Sequence, residues 1–151
     1  MLVDSHVNLH GEKFAEDCDH VVARAIEANV GTMLNICCKV SDFDDVIAIS
    51  EKYPNMWASV GTHPHDAKEN PNITADQLIE LAQHPKVIGI GETGYDFHYG
   101  YSSEAEQVHN FKAHIIAARE TGLPLIIHTR EADELMMSTL KEAIKQSGPF
   151  S

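Results

Sequence analysis

Residues 86–99, KVIGIGETGYDFHY, indicate the fold of the chain around them. The mostly apolar run at 87–90 is preceded by a proline and followed by glycines, a pattern typical of a parallel strand buried on both faces. Glu92 comes directly after this run, so we expect it in a loop at the strand's carboxyl end. Ligands and catalytic groups gather at such ends. Glu92 is therefore either a functional carboxylate or an ordinary solvated loop residue.

Four further apolar runs resemble this one, and segments with helical spacing of apolar residues separate them. The predicted strands begin at Leu2 and cover 33–37, 56–61, 87–90 and 123–127. The predicted helices cover 14–28, 41–51, 74–83, 103–122 and a last segment with Leu135, Met136, Leu140 and Ile144 on one face. Such βα repetition predicts an α/β fold with a parallel sheet.

Three of the predicted helices have recognisable starts. Ser41 is a candidate N-cap, and the pairs Thr74 with Gln77 and Ser103 with Glu106 have the spacing of capping boxes. These signals support the positions of the second, third and fourth helices.

The composition predicts one globular domain over residues 1–151, because 43% of the residues are hydrophobic. Eleven Lys and Arg against twenty-three Asp and Glu give a formal charge of -12. This charge argues against non-specific binding of nucleic acid through a broad basic face. A bound divalent metal could attract phosphates locally, and the ten histidines make such a site worth testing.

The three cysteines, Cys18, Cys37 and Cys38, form no CxxC or zinc-finger spacing, so we expect reduced thiols. We interpret Cys37 and Cys38 as packing residues and not as nucleophiles. The first ten residues lack the features of a signal peptide, and no apolar run approaches the length of a membrane span. We expect a soluble cytoplasmic protein with no membrane partner.

Residues suited to binding a metal or a phosphate follow four of the five predicted strands. They are His6 and Asn8, His63 and His65, Glu92, and His128 and Arg130. Imidazole and carboxylate groups that converge from separate strands are what a hydrolytic metal site requires. Such a site would take one or two divalent ions, Mg, Mn or Zn, which activate water and polarise a phosphoryl or carbonyl oxygen.

Each of these residues also has a purely structural interpretation. His6 could be a core histidine, His63 and His65 could stabilise the turn around Pro64, and Arg130 could form a salt bridge at a helix start. Five other histidines fall on helices or far from the strand ends, and we do not expect them to be ligands: His10, His20, His84, His109 and His114.

Four segments carry a resemblance to a known family. They are MLVDSHVNL at the start, SVGTHPHDA at 59–67, VIGIGETGYDFHY at 87–99 and PLIIHTREA at 124–132. Together they resemble the TatD family of metal-dependent deoxyribonucleases, within the amidohydrolase-like TIM barrels. The resemblance implies a (β/α)8 barrel and hydrolysis of phosphodiester bonds in DNA.

The resemblance also implies residue roles. It makes His6, Glu92 and His128 metal ligands, with Glu92 able to bridge two ions, and it makes His63 and Arg130 contacts of the substrate phosphate. The first motif of the family is commonly H-x-H, and Asn8 stands in place of its second histidine. Because an amide is a poorer ligand for zinc than imidazole, we expect one of two metal positions to be weakened.

The chain resembles only about the first five βα units of a barrel that spans about 250 residues. The family supplies a further histidine and an aspartate from later strands. We therefore expect a domain that is incomplete at its carboxyl end, feeble as a nuclease on its own and, with open sheet edges, prone to form oligomers.

Two other functions remain open at the level of sequence. The same metal site could hydrolyse esters or amides, including the ester of a misacylated tRNA. The chain could also be a non-catalytic metal-binding or assembly fragment.

Overall fold

A parallel sheet forms the centre of the computed structural model, which describes residues 1–149. Its five strands are hydrogen-bonded in the order β1-β2-β3-β4-β5, and every neighbouring pair is parallel. The strands are β1 Leu2–Val7, β2 Val30–Asn35, β3 Met56–Val60, β4 Val87–Asp96 and β5 Leu125–Arg130. Parallel strands that neighbour one another in chain order are the arrangement found along the wall of a βα barrel. The predicted α/β class, with about five βα units of the TIM-barrel type, is confirmed.

One α-helix follows each strand. The helices are α1 Cys18–Glu27, α2 Phe43–Lys52, α3 Ala75–Leu81, α4 Glu104–Thr121 and α5 Asp133–Ser147. Short 3-10 helices occupy Glu12–Phe14, Val40–Asp42 and Pro64–Glu69. No helix among residues 1–149 combines the length and the apolar character that crossing a membrane would require.

Both predicted capping boxes are present: Thr74 and Gln77 exchange hydrogen bonds at the start of α3, and Ser103 and Glu106 do so at the start of α4. The predicted cap at Ser41 is wrong. Ser41 lies inside a 3-10 turn and donates its hydroxyl to Asp42 Oδ1 at 2.9 Å, so α2 begins only at Phe43. The first predicted helix is likewise shortened by a 3-10 turn and begins at Cys18.

Strands β4 and β5 extend further than their apolar runs indicate. Pairing continues through Gly94 with His128 and Asp96 with Arg130, so the ladder includes polar residues. Glu92 therefore lies within β4, where we expected it in a loop, and His128 lies within β5. The reason is that ladder hydrogen bonds use the backbone and do not depend on the side chains being apolar.

The main core lies between one face of the sheet and helices α2 to α4. It includes Val46, Val60, Leu78, Ile90 and Ala117, which are all fully buried. Ile88, however, is 37% exposed, so the prediction of a strand buried on both faces is wrong at this residue. Alternation along the strand turns Ile88 away from the helices that cover its neighbours. Ile144, predicted on the apolar face of the last helix, is also exposed.

Candidate metal centre

Two glycines allow β4 to approach its neighbours closely beside Glu92. A Cβ added to Gly61 would lie only 2.5 Å from Gly91 Cα, between β3 and β4. A Cβ added to Gly94, whose φ is 143°, would overlap the carbonyl oxygen of His128 in β5. The peptide bond between Gly91 and Glu92 is cis. Because Gly61 and Gly94 have no side chains, β3, β4 and β5 can approach one another closely at the level of their polar residues.

The carboxylate of Glu92 lies between two histidines from different strands. Its Oε1 lies 3.1 Å from His128 Nδ1 in β5, and its Oε2 lies 3.3 Å from His6 Nε2 in β1. The Glu92 side chain is only 12% exposed. Each carboxylate oxygen therefore faces one imidazole nitrogen, and Glu92 could help to hold one divalent ion or two.

His63 is the third imidazole close to this carboxylate. Its Nε2 lies 3.3 Å from His128 Nδ1, and donor atoms of His63, Glu92 and His128 lie within 4.8 Å of one another. His63 Nδ1, however, accepts a hydrogen bond from the backbone N–H of His65 at 3.2 Å. The neutral ring therefore carries its proton on Nε2. The distances of His63 from Glu92 and His128 would suit a metal ligand, but the protonated Nε2 makes His63 a hydrogen-bond donor.

Burial determines the charge of His63. It lowers the pKa of the imidazole to about 4, because a charged ring would lose its hydration, and the neighbouring His128 and His65 lower the pKa further. Glu92 and Asp96 oppose this shift without reversing it. At neutral pH His63 is therefore an uncharged ring with an N–H group directed into the site.

Asp96 is a functional candidate that sequence analysis missed. Its carboxylate is 1% exposed, and its Oδ2 lies 2.9 Å from both His128 Nε2 and His65 Nε2. Its Oδ1 accepts a hydrogen bond from the backbone N–H of His98 at 3.0 Å. A carboxylate behind a histidine fixes the ring and makes the opposite nitrogen a better ligand. Asp96 lies four residues after Glu92, on the same face of a strand, and a longer predicted β4 would have revealed it.

Asp96 is ionised in spite of its burial. Burial by itself would raise the pKa of this carboxyl group, but the hydrogen bonds from His128 and the His98 backbone, together with the charge of His65, lower its pKa below the usual range. A carboxylate that stays charged at neutral pH can hold His128 and His65 in place.

The donor set fits a divalent ion. Imidazole nitrogens and carboxylate oxygens that share a tetrahedral ion at 2.0–2.1 Å lie about 3.3 Å apart. The separations of Glu92 from His128 and from His6, 3.1 and 3.3 Å, match this spacing. Glu92 could therefore share an ion with His128, and another with His6, without rearrangement of these strands.

The other predicted site residues lie around this set. His65 contacts Asp96 and two tyrosine rings, and the guanidinium carbon of Arg130 lies 5.0 Å from the ring centre of Tyr99. Asn8 makes a different contact, because its Oδ1 lies 3.5 Å from Cys38 Sγ.

The neighbouring cysteines are protonated at neutral pH. Burial raises the pKa of Cys37 to about 11, and burial together with the charge of Glu92 raises the pKa of Cys38 to about 12. Because the thiolate is the nucleophile and the metal ligand, both residues are poorly suited to either role.

His114 supports the site from behind, although it is not close to the carboxylate. This fully buried residue of α4 accepts a hydrogen bond at Nε2 from the backbone N–H of Thr62 at 3.0 Å, and its Nδ1 donates to the Asn110 carbonyl at 2.8 Å. Thr62 directly precedes His63, so α4 helps to place the end of β3.

Comparison with known sequences identifies proteins that this chain resembles. The sequence model of the TatD related DNase family matches residues 3–150. The chain is 36% identical over 139 residues to a protein named 3'-5' ssDNA/RNA exonuclease TatD from Salmonella typhimurium, covering 92% of this chain and 54% of that protein. The protein of the same name from Escherichia coli K12 is 34% identical over 140 residues, with 93% and 54% covered. The chain thus spans about half the length of the curated relatives it matches.

Solved structures give the same result for the fold. A crystal structure of YJJV, a TatD homologue from Escherichia coli K12, superposes with a TM-score of 0.82 at 24% identity and covers 94% of this chain and 56% of that one. A TatD family hydrolase from Entamoeba histolytica superposes with a TM-score of 0.85 at 23% identity, with 97% and 56% covered. At these identities the likeness concerns the fold.

Proposed function

Because this chain belongs to the family of TatD-related DNases, we propose that its site serves the metal-dependent hydrolysis of phosphodiester bonds in DNA. The observation that carries the proposal is the placement of the Glu92 carboxylate between His6 and His128, with His63 directing an N–H group toward the same point. The relatives are named as exonucleases of single-stranded DNA and RNA, so single strands are the substrate class we favour.

The proposed ligands are Glu92, His128 and His6, with the Asn8 amide as a weaker fourth donor. When bound, a divalent ion supplies Lewis acidity, which polarises a phosphoryl oxygen and makes water a stronger nucleophile at neutral pH. Two imidazoles and a carboxylate suit Zn better than Mg or Mn, which prefer oxygen ligands. We therefore favour Zn among the three metals expected from the sequence.

The remaining residues have roles in holding the substrate. His63 is neutral and protonated on Nε2, so it can donate a hydrogen bond to a phosphate oxygen without competing for the metal. Arg130 brings a permanent positive charge to the same side of the sheet, where it lies over the Tyr99 ring, and His65 contacts the Asp96 carboxylate. These local groups would attract a phosphate to a chain whose formal charge is -12.

Asp96 acts through other residues in this proposal. Its hydrogen bond to His128 Nε2 directs Nδ1 of the same ring toward Glu92. It also restrains His65, so that one buried carboxylate positions a ligand and a neighbouring substrate group.

The proposal is tested by an assay of the 151-residue chain on 3'-labelled single-stranded DNA with added Mn or Zn. We expect metal-dependent release of nucleotides and a loss of at least a hundredfold in Glu92→Gln, because the amide removes the charge from the site. Glu134→Gln, an exposed acid-to-amide change at the start of α5, is the matched control. Equal activity of Glu92→Gln and the parent chain would disprove the proposed role of Glu92.

Metal binding provides a second measurement that does not depend on turnover. Calorimetric titration with Mn or Zn should show binding to the parent chain and to Glu134→Gln but not to Glu92→Gln. Binding that survives in Glu92→Gln would place the ion elsewhere.

A further inference from the structure

Two tyrosine rings lie exposed beside the candidate metal centre. Tyr99 is 52% exposed and Tyr101 is 53% exposed. Their ring centres are 5.2 Å apart and their planes differ by only 12°, so the rings stack on each other. We call this pair the tyrosine ledge. Large aromatic side chains that remain open to solvent next to polar groups commonly serve recognition.

The backbone that carries the tyrosine ledge is held in place. Gly100, between the two tyrosines, has a φ of 64°, the left-handed conformation that favours glycine. Ser102, directly after Tyr101, donates its hydroxyl to the His65 carbonyl at 2.8 Å and accepts from the Lys68 N–H at 3.1 Å. The Gln107 side chain donates to the Ser102 carbonyl at 3.0 Å. The backbone that presents the rings is therefore fixed before any ligand binds, which reduces the entropy lost on binding.

One ring joins the tyrosine ledge to the candidate metal centre. His65 meets Tyr101 edge-on at 5.0 Å and Tyr99 at 5.5 Å between ring centres. The same imidazole lies 2.9 Å from Asp96 and 4.5 Å, between ring centres, from His63. A phosphate held by His63 and a base held on the ledge would thus be separated by the width of a single side chain.

Arg130 adds a positive charge to this aromatic surface. Its guanidinium lies over the Tyr99 ring at 5.0 Å, a cation–π contact that leaves the group close to solvent, since Arg130 is exposed. Aromatic rings beside an arginine are the combination on which unpaired bases stack in proteins that bind single strands. Because the chain carries a formal charge of -12, stacking compensates for the lack of a broad basic face.

We propose that the tyrosine ledge binds an unpaired nucleobase of a single-stranded nucleic acid by stacking, next to the phosphate at the metal centre. This proposal rests on the proposed nuclease function and names the part of the substrate that the site recognises beyond the phosphate. Bases within a duplex are already stacked and paired, so the ledge would select single strands.

The test compares two strands of the same length with the 151-residue chain. One is a short oligothymidylate, and the other carries abasic tetrahydrofuran units in place of its nucleosides, so that it keeps the phosphates but has no bases. Phosphorothioate linkages slow cleavage, and fluorescence anisotropy in Mn measures the dissociation constants before cleavage proceeds. We expect the parent chain to bind the base-bearing strand at least tenfold more tightly than the abasic strand.

Variants of the ledge assign this difference to the tyrosines. Tyr99→Ala and Tyr101→Ala should each weaken binding of the base-bearing strand by roughly tenfold or more and leave the abasic strand unchanged. Tyr99→Phe and Tyr101→Phe keep the rings and should bind like the parent chain. Because both side chains are more than half exposed, we expect all four variants to fold, which circular dichroism verifies.

The possible outcomes separate this proposal from the proposed function. If the parent chain cleaves ordinary DNA but binds both strands equally, or if the alanine variants weaken both strands alike, the ledge proposal is wrong and the nuclease function remains. If the parent chain neither binds nor cleaves either strand, both proposals fail. Tight binding of base-bearing strands that the alanine variants do not weaken would place base recognition elsewhere.

Discussion

The Nε2 atom of His128 lies 2.9 Å from the Oδ2 atom of Asp96, a carboxylate that is only 1% exposed. This contact joins neighbouring strands and turns the other nitrogen of the ring toward Glu92. The orientation of a candidate ligand therefore depends on a residue that does not itself face the metal position.

Asp96→Asn should weaken metal binding by about ten- to a hundredfold, because the amide is a poorer acceptor and holds the ring of His128 less firmly. Calorimetric titration with Mn or Zn measures the change. Asp44→Asn, an exposed substitution in α2, serves as the control and should bind as the parent does. Parent-like affinity in a folded Asp96→Asn variant would show that His128 needs no such support.

Asn8→His should strengthen the second metal position, because imidazole is a better donor than an amide toward Zn and Mn. We expect calorimetry to show tighter binding or a higher stoichiometry than in the parent chain. Asn72→His, at an exposed loop position, controls for the mere addition of a histidine. The same isotherm for Asn8→His and the parent chain would count against a metal position at this residue.

Bound metal should stabilise the folded chain, because the ligands converge only in the native state. At a free metal concentration of one hundred times Kd, the gain is about 2.7 kcal/mol. Thermal unfolding with Zn or Mn, and again after chelation, measures the effect. In His128→Ala the midpoint should no longer depend on metal, whereas His109→Ala, at an exposed position of α4, should respond as the parent does.

His114 should make the stability of the chain fall as the solution becomes acidic. Burial lowers the pKa of its imidazole from the model-compound value of 6.5 to about 4. Below pH 6.5 the unfolded chain therefore takes up a proton that the folded chain refuses, and the loss of stability grows until pH 4, reaching about 3 kcal/mol. Urea unfolding at several pH values measures this slope.

Two substitutions in α4, at His114 and at His109, test this dependence of stability on pH. His114→Gln should have a shallower dependence of stability on pH between 6.5 and 4 than the parent chain, although it is less stable at neutral pH. His109→Gln should keep the parent slope, because His109 is exposed. An unchanged slope in His114→Gln would mean that the buried imidazole is not the group that titrates.

Gly94→Ala should be strongly destabilising. The residue has a φ of 143°, and a Cβ would overlap the carbonyl oxygen of His128. Gly122→Ala is the matched control, because its φ is 70° and no atom lies within 4 Å of the added Cβ. We expect a loss of about 1–2 kcal/mol from conformation alone in Gly122→Ala and a larger loss in Gly94→Ala, both measured by urea unfolding. Equal losses would show that the strands can separate at little cost.

Local patterns were sufficient to predict much of the fold. The capping boxes that begin with Thr74 and Ser103 are present as predicted, because the residues that form them lie three positions apart. The βα alternation followed from the spacing of apolar residues. The cap at Ser41 was wrong because Ser41 lies inside a 3-10 turn and donates its hydroxyl to the Asp42 carboxylate instead of accepting a helix N–H.

The sequence by itself determined the order of the elements and the polar residues that the strands present, because both depend on short-range spacing and residue type. Only the tertiary structure decided which atoms meet. The register between β4 and β5, with Gly94 against His128, brings Asp96 behind the ring and Glu92 in front of it. His128 is far from Glu92 and Asp96 in the chain, and its distance from them in space depends on backbone approach across the sheet, which no local pattern specifies.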